Sequence, residues 1–375
     1  MRIAIEEERL PNDLVEEILQ RLDIKSLVRF TSVSKQWKSM IKSRSFASRH
    51  LASVQSRVPD ILLGGDIHHE SNPYSCLRTL ESHSLFTKVN YIPKPSRRSL
   101  AVTGSCDGLV CIYDFRKVMY VFNPATRWYR FLPRAQIQQI NCIRENQNSK
   151  CRGSYLGFGK DIVTSKYKMV WLYNSKGLGL DGQTTCEVFD FTTNTWRHVN
   201  GSPYRIYEEL ESQPLYLNGS LHWFTVESCG KIKMICFDLH TEIFQLMTEI
   251  PIATTWDHRI IMWSLNNCLC VSEMKNDGIQ DIWSLNSHKV WDKIFSLNLN
   301  LGYTHGDGCR FPILPVTIFD KTRLLFLYPT NKDPSLYGPK KKTLLYSYTI
   351  LEQILVFLWL FYLVIWIKLF LLFQA

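Results

Sequence analysis

The chain has 375 residues, enough for one large domain or two smaller ones beyond a short helical unit. Hydrophobic residues make up 45% of it, so a globular protein is expected rather than a disordered one. The 44 Lys and Arg against 34 Asp and Glu give a formal charge of +10, but the basic residues are scattered and form no basic groove with aromatic residues, which argues against nucleic-acid binding. Eleven cysteines without a C-x-x-C pair indicate reduced thiols in the cytoplasm or nucleus, and MRIAIEEERL lacks the apolar core of a signal peptide.

Three short helices are predicted at the start of the chain, between Leu10 and Phe46. The first is amphipathic, with apolar residues three and four positions apart: Leu14, Val15, Ile18, Leu19 and Leu22. Pro11 and Asn12 suit its start, Ser26 is predicted to cap the second helix, and Ser32 or Ser34 the third. Three helices in so few residues cannot close a good core alone. We therefore expect part of their apolar surface to bind another protein, the alternative being a helical cap packed on the rest of the chain.

The patterned positions of this unit are, in chain order, Leu10-Pro11, Asp13-Leu14, Glu17-Ile18-Leu19, Arg21-Leu22, Lys25-Ser26-Leu27, Arg29-Phe30, Val33-Ser34-Lys35, Trp37, Ile41 and Phe46. Together they resemble the F-box of plant proteins. The pattern departs at Asp23, where the family usually has proline, a change that we expect to loosen a turn and to keep the binding face. The resemblance implies docking on the Skp-type adaptor of a cullin-RING ubiquitin ligase. It places these residues at the interface: Leu10, Pro11, Leu14, Ile18, Leu22, Leu27, Val33 and Trp37.

After residue 100 the sequence changes to short apolar or alternating runs separated by Gly, Asn and Asp, which predicts antiparallel strands. One phrase recurs four times: an aromatic residue, a short polar turn, then Trp or Phe. It occurs as VFNPATRWYRFLP, VFDFTTNTWRHV, CFDLHTEIFQLM and DIWSLNSHKVWDKIF, beginning at Val121, Val188, Cys236 and Asp281. The last three recur at a spacing of roughly fifty residues, typical of four-stranded propeller blades. The sequence therefore predicts repeated hairpins in small sheets that bury their faces against one another.

These phrases, together with YLGFGKDIVTSKYKMVWLY from Tyr155, resemble the F-box-associated interaction domain of plant F-box proteins, which is similar to a kelch-type propeller. The fold class expected is α+β multidomain: a three-helix F-box followed by an all-β, propeller-like domain. The predicted boundaries are 1–60 for the F-box, 61–100 for a linker and leading segment, 101–345 for the propeller-like domain and 346–375 for a hydrophobic C-terminal tail.

The tail is apolar or aromatic at every position from Ile354 to Ile367, and with Leu351 it reaches the roughly twenty residues that a membrane-spanning helix needs. Lys340, Lys341 and Lys342 would then keep the folded part in the cytosol. Three alternatives stay open: a transmembrane tail anchor, an aberrant end from an altered reading frame or unspliced sequence, and a last buried strand or helix.

No catalytic, cofactor-binding or metal-binding residues are assigned. GLGLDG from Gly177 matches G-x-G-x-x-G, but a strand-like run follows it, so a hairpin loop is expected instead of a phosphate site. His68, His69, Glu70 and Cys76 do not have the spacing of a zinc site. His222 is expected to be hydrogen-bonded in the interior. A further group of residues is expected to satisfy turn amides: Asp107, Asp190 and Asp238.

The predicted function is therefore that of a non-catalytic adaptor in a Skp-cullin-F-box ubiquitin ligase, in the cytoplasm or nucleus. The helical unit would bind the Skp-type adaptor, and through it the cullin, while the β domain would bind a protein substrate that the sequence does not identify. No nucleic acid and no cofactor are expected. The alternative is an interaction scaffold outside ubiquitination that is tethered to a membrane by its tail.

Overall fold

The computed structural model describes the following residues: 10–55, 60–66, 75–80, 87–92, 101–123, 126, 128–143, 154–207, 213–227, 230–252, 260–265, 267–275, 278–298, 314–319, 323–330, 342–349, 355–358 and 363–367.

The three predicted helices are present, and a fourth follows them. Their bounds are α1, Asn12–Gln20; α2, Ile24–Phe30; α3, Lys35–Ile41; and α4, Arg44–Gln55. Asp23 caps α2, because its Oδ1 accepts a hydrogen bond from the backbone nitrogen of Ser26 at 2.8 Å. The prediction that Ser26 is the cap is therefore wrong, and the residue that replaces the usual proline stabilises the start of α2 instead of loosening it. Ser34 caps α3 as predicted, since its Oγ accepts from Trp37 N at 3.0 Å.

The helices share a small core of their own. Its buried members are Val15, Leu19, Ile24, Leu27, Ile41 and Phe46. His50 of α4 is also buried, and its Nε2 lies 2.9 Å from the carbonyl oxygen of Leu22. Each fully buried aliphatic or aromatic side chain contributes about 1.5–3 kcal/mol. The helical unit is therefore held together by contacts among its own helices.

The rest of the chain forms antiparallel sheets, and the described residues contain six of them. The strands of the first three sheets are β1, Asp60–Asp66; β2, Ser75–Leu80; β3, Thr87–Ile92; β4, Ala101–Val102; β5, Val110–Tyr113; β6, Met119–Asn123; β7, Trp128–Phe131; β8, Ser154–Lys160; β9, Tyr167–Asn174; β10, Thr184–Asp190; and β11, Thr195–Val199. The helix α5, Gln136–Ile143, connects β7 to β8.

The other three sheets follow in chain order. Their strands are β12, Arg205–Ile206; β13, Leu215–Leu217; β14, Ser220–Val226; β15, Ile232–Asp238; β16, Phe244–Leu246; β17, Ile260–Leu265; β18, Cys268–Met274; β19, Ile279–Leu285; β20, Trp291–Asn298; β21, Leu314–Phe319; β22, Arg323–Thr330; β23, Lys342–Thr349; and β24, Leu355–Leu358. One more strand, β25, Leu363–Ile367, pairs with β1 and completes the first sheet in the order β25-β1-β2-β3.

All four predicted hairpins are confirmed as the last two strands of their sheets: β6–β7, β10–β11, β15–β16 and β19–β20. Aromatic residues pair across three of them: Phe122 with Tyr129, Phe189 with Trp196 and Phe237 with Phe244. The hairpin between β13 and β14 in the fourth sheet has a tight two-residue turn. This turn is formed by Asn218 and Gly219, with φ of 47° and 83°, which is the left-handed conformation that such a turn requires. Asn218 is thus part of a turn.

Successive sheets pack face to face. A buried cluster joins the second sheet to the third through residues such as Tyr113 and Trp171, and another joins the third to the fourth through Leu172 and Trp223. Gly159 marks how closely the third and fourth sheets approach, because a Cβ there would lie 2.3 Å from Cδ2 of Tyr216. The described residues thus form six antiparallel sheets, five of four strands and one of five, and β25 completes the first sheet. This is the arrangement of a β-propeller with six blades. The propeller-like expectation is confirmed.

One segment differs from the sequence-based expectation, and another follows an alternative that the sequence left open. The strands β1, β2 and β3 lie in residues 61–100 and just before, where a linker or one irregular strand leading into the domain was expected. Their short apolar runs are paired through backbone hydrogen bonds to partners distant in sequence, which periodicity does not reveal. The tail forms β24 and β25, which agrees with the alternative of a last strand and not with that of a transmembrane helix. Among the described residues no helix has the length and apolar character needed to cross a bilayer.

Candidate adaptor-binding surface

The eight residues predicted at the adaptor interface divide into three groups by exposure. Five are exposed, with fractions of 61% for Leu10, 49% for Leu14, 52% for Ile18 and 58% for Val33, and with Pro11 beside Leu10. Leu22 and Trp37 are half-buried and pack against the helical core. Leu27 is fully buried in that core. An incoming protein can contact the first two groups, whereas Leu27 acts through the packing of α2.

The exposed stripe exists because α1 is apolar on two adjacent faces. Residues four apart share a face, so Val15 and Leu19 point together into the core while Leu14 and Ile18 point together outward. Adjacent residues are turned by about 100° around the helix, which separates the two pairs. One face of α1 is thus occupied by the helical core, and the other presents aliphatic side chains to solvent.

Polar contacts fix α1 without covering this stripe. Glu16 forms an ion pair with Arg49 of α4, and Asn12 accepts a hydrogen bond from Nε2 of Gln36 at 2.7 Å. Both contacts are on the solvent-exposed side of the unit, so each is worth well under about 1 kcal/mol, and their role is to set the orientation of α1. The stripe is therefore presented on a helix that is held in place from its opposite side.

Trp37 and one further residue complete the surface. The indole of Trp37 packs edge-on against Phe30 with ring centroids 5.5 Å apart, so one side of it supports the core while the other remains accessible. Val28 is 39% exposed and was not predicted. The sequence does not show that Val28 is exposed, because it directly follows the buried Leu27. A seven-residue helix is too short for its apolar pattern to separate the buried face from the exposed one.

The carboxylates of the β domain serve structural roles. Asp190 accepts from the backbone nitrogen of Thr192, and Asp238 accepts from those of His240 and Thr241, as predicted for turn residues.

Asp107 differs from this expectation. Its Oδ2 accepts from Lys160 Nζ and from the Tyr167 hydroxyl, both at 2.9 Å and both on the next sheet. It therefore links two blades, a role that only their packing creates.

The other candidate sites behave as loops or interior groups. His222 is buried, its Nδ1 lies 3.1 Å from the carbonyl oxygen of Leu215, and burial lowers its pKa to about 4, so it is uncharged at neutral pH. The Gly177–Gly182 segment connects β9 to β10 and is a hairpin loop, with φ of 69° at Gly179. His68, His69 and Glu70 lie outside the described residues, as does the side chain of Cys76. In the described part of the chain no group of three or more potential ligands is close enough to hold a metal ion.

A groove of about 490 Å³ lies where the start of α5 meets β11. Its lining is mainly polar and includes Arg134, Gln136, Gln139, Trp196 and His198. Glu187 of β10 forms part of the wall, and it is 1% exposed. Its carboxylate accepts hydrogen bonds from the backbone nitrogens of Gln136 and Ile137 and from the hydroxyl of Tyr173. Sequence reasoning missed this groove because its two sides, the start of α5 and the third sheet, come from segments that are distant in sequence.

Comparison with known protein families identifies both parts of the chain. Residues 8–49 match the family model for the F-box domain, and residues 71–334 match that for the F-box associated beta propeller domain. An F-box/LRR-repeat/kelch-repeat protein of Arabidopsis thaliana is 44% identical over 324 residues, which are 84% of this chain and 84% of that protein. An F-box protein of the same plant is 38% identical over 373 residues, covering 90% of this chain and 94% of the relative.

Solved structures with a similar fold are distant. AofleA from Arthrobotrys oligospora has a TM-score of 0.48 and 10% identity, with 76% of this chain and 80% of AofleA covered. An Aleuria aurantia lectin has a TM-score of 0.46 and 11% identity, with 81% of this chain and 94% of the lectin covered. The assignment rests instead on the family models and on the plant relatives. By both, this chain belongs to the family of F-box proteins that carry an F-box associated β-propeller domain.

Proposed function

We propose that this protein is a substrate-recognition adaptor of a Skp-cullin-F-box ubiquitin ligase. In this function the helical unit binds the Skp-type adaptor, which connects it to the cullin, and the propeller binds a protein substrate. Membership of the F-box family supports the assignment. The protein itself is not the catalyst. It raises the rate of ubiquitin transfer by holding a target lysine close to the charged enzyme, which replaces a bimolecular encounter with a tethered one.

The observation that carries the proposal is the exposed stripe of Leu14 and Ile18. A soluble domain gains nothing by exposing two aliphatic side chains on one helix face, whereas a partner that covers them removes their apolar surface from water. Trp37 and the arm formed by Leu10 and Pro11 add an aromatic and a rigid contact, which are typical of the strong positions in protein interfaces.

The test is the double variant Leu14→Asp with Ile18→Asp, assayed by co-purification with a Skp-type adaptor. Two carboxylates without partners cannot be buried at low cost, so we expect adaptor binding to be lost. The matched control is Ile162→Asp with Val163→Asp, two aliphatic residues on the propeller that are 63% and 66% exposed. The control should bind the adaptor normally, and undiminished binding by the first variant would refute the proposed interface.

We also propose that the protein works in the cytoplasm or nucleus. The support is its cysteine chemistry: the described residues include Cys106, Cys111, Cys186 and Cys270 as buried free thiols. Burial raises the pKa of the Cys270 thiol to about 11, which keeps it protonated and unreactive. Fluorescence microscopy of the tagged full chain tests this location, and a signal confined to a secretory compartment would contradict it.

A further inference from the structure

The propeller has two faces, and the helical unit is attached at one of them. In each antiparallel sheet the second strand begins at the edge that holds the turn between strands one and two and the turn between strands three and four. β1 is the second strand of the first sheet, so it begins at this edge, which we call the near face. The helix α4 ends at Gln55 and β1 begins at Asp60, so the chain between them spans at most about 18 Å. The helical unit is therefore tethered at the near face. The opposite edge, called the far face, carries the second turn of each sheet and the connections between sheets.

The helix α5 lies on the far face and is fixed to the blades beneath it. The carboxylate of Glu187 caps its first turn. The side-chain amide of Gln138 donates to the carbonyl oxygen of Asp114 at 2.8 Å, and that of Asn141 donates to the carbonyl oxygen of Phe115 at 2.9 Å. Both amides are buried, so these bonds are shielded from water. The helix and the β5–β6 turn thus form one rigid surface.

This surface, which we call the α5 platform, exposes both apolar and basic side chains. Phe115 is 41% exposed and Ile143 is 81% exposed. Lys117 and Arg134 are exposed and have no ion-pair partner among the described residues. His198 adds a further nitrogen-bearing ring in the adjoining groove.

Two acidic groups that the structure describes next to the platform, Asp114 and Glu187, are directed inward. Asp114 is 3% exposed, and its Oδ1 accepts from the backbone nitrogens of Arg116 at 2.8 Å and of Val118 at 2.9 Å. Glu187 is equally buried and bonded to α5. The neighbouring turn between β9 and β10 carries the exposed acid Asp181 and the exposed base Lys176. Among the described residues, the charge that the platform presents to a partner is therefore positive.

We propose that the α5 platform binds an acidic segment with interspersed apolar residues in the protein that this adaptor recruits. The inference rests on the proposed function for the identity of the partner as a substrate, but its physical basis is independent of the F-box. Lys117 and Arg134 select negative charge, Phe115 and Ile143 bury the apolar side chains, and the rigid backbone of α5 limits the entropy lost on binding. The far face is also the one that the helical unit leaves open.

The test measures fluorescence anisotropy of a short labelled peptide that alternates Asp or Glu with Leu or Phe, added to the purified full chain. We expect saturable binding that weakens with salt, and a loss of about tenfold in affinity for Lys117→Glu with Arg134→Glu. Ile143→Ser should weaken binding without changing its salt dependence. The matched control is Lys166→Glu with Lys289→Glu, two exposed lysines on turns of the near face, and it should bind normally.

Three results would overturn the proposal: equal binding of a peptide with Lys and Arg in place of the acids, equal loss in the near-face control, or equal binding of a single-stranded oligonucleotide, which would indicate a general response to polyanions. The same experiments distinguish a failure of this proposal from a failure of the proposed function. If the chain does not bind a Skp-type adaptor but still binds the peptide and responds to the platform variants, peptide binding by the platform is supported and the ligase assignment is refuted.

Discussion

The carboxylate of Glu187 in the third sheet lies 3.0 Å from the backbone nitrogen of Ile137 in α5, although the two residues are 50 positions apart in the chain. The same group accepts from the backbone nitrogen of Gln136 and from the hydroxyl of Tyr173, both at 2.8 Å. A helix start leaves backbone N–H groups without internal partners, and here a buried side chain from the third sheet satisfies two of them. The start of the connection between the second and third blades is thus bound to the third sheet by this carboxylate.

Replacing this carboxylate should destabilise the propeller. In Glu187→Gln one acceptor oxygen becomes an NH2 group that faces the N–H donors of α5, so we expect the free energy of unfolding to fall by about 1–3 kcal/mol. Urea denaturation of the full chain measures the change. Asp181→Asn removes an exposed acid on a nearby turn and should change stability by less than about 0.5 kcal/mol. Equal effects of the two variants would contradict the anchoring role of Glu187.

The two leucines Leu14 and Leu27 should respond oppositely in two assays. Leu27 is fully buried, so Leu27→Ala leaves a cavity and should lower the stability of the helical unit by about 2–5 kcal/mol. Leu14 is 49% exposed, so Leu14→Ala should change stability little while weakening adaptor binding. Helix content followed by circular dichroism during denaturation, together with adaptor pull-down, separates the effects. A strong loss of stability in Leu14→Ala would show that the exposed stripe is wrongly assigned.

Gly159 should tolerate no side chain. In Gly159→Ala the new Cβ would meet the ring of Tyr216 at 2.3 Å, so the third and fourth blades must move apart, at a cost of about 1–3 kcal/mol. Gly104→Ala is the matched control, because no atom lies within 4 Å of a Cβ at that position. Thermal unfolding of both variants checks the prediction, and similar midpoints would rule out close packing at Gly159.

The buried carboxylate of Asp281 predicts a loss of stability in acid. Burial alone would raise its pKa, but Lys275 and Lys293, at 2.6 and 2.7 Å, and the hydroxyl of Ser296 outweigh it and lower the pKa to about 2. Because the folded-state pKa is depressed, its stabilisation of roughly 2 kcal/mol is complete above about pH 4 and is lost as the pH falls from about 4 to about 2.

The variant Asp281→Asn isolates this effect. Its free energy of unfolding should be lower than that of the parent at neutral pH, and the difference should shrink between about pH 4 and pH 2 because the parent protonates there. Denaturant titrations across that range measure it. A difference that stays constant with pH would mean that the ion pairs of Asp281 do not contribute to the acid dependence.

The local parts of this protein could be predicted from the sequence because they depend on neighbours along the chain. The spacing of Leu14 and Ile18 specifies a helix, and the polar turns after Phe189 and Phe237 specify hairpins, since turn geometry and side-chain periodicity act within a few residues. The F-box pattern and the order of the repeated phrases were enough to indicate the family.

Tertiary structure decided everything that requires one segment to meet another. It placed Leu27 inside and Leu14 outside, although both are leucines in amphipathic helices, because the direction of each face is set by the packing of all four helices. It paired β25 with β1, joining residues near the two ends of the chain, and so made the tail a blade strand. It also made Asp107 a link between two blades and Glu187 a link between the third sheet and α5. Such contacts leave no mark in local sequence, because their energy comes from residues that are distant along the chain and close only after folding.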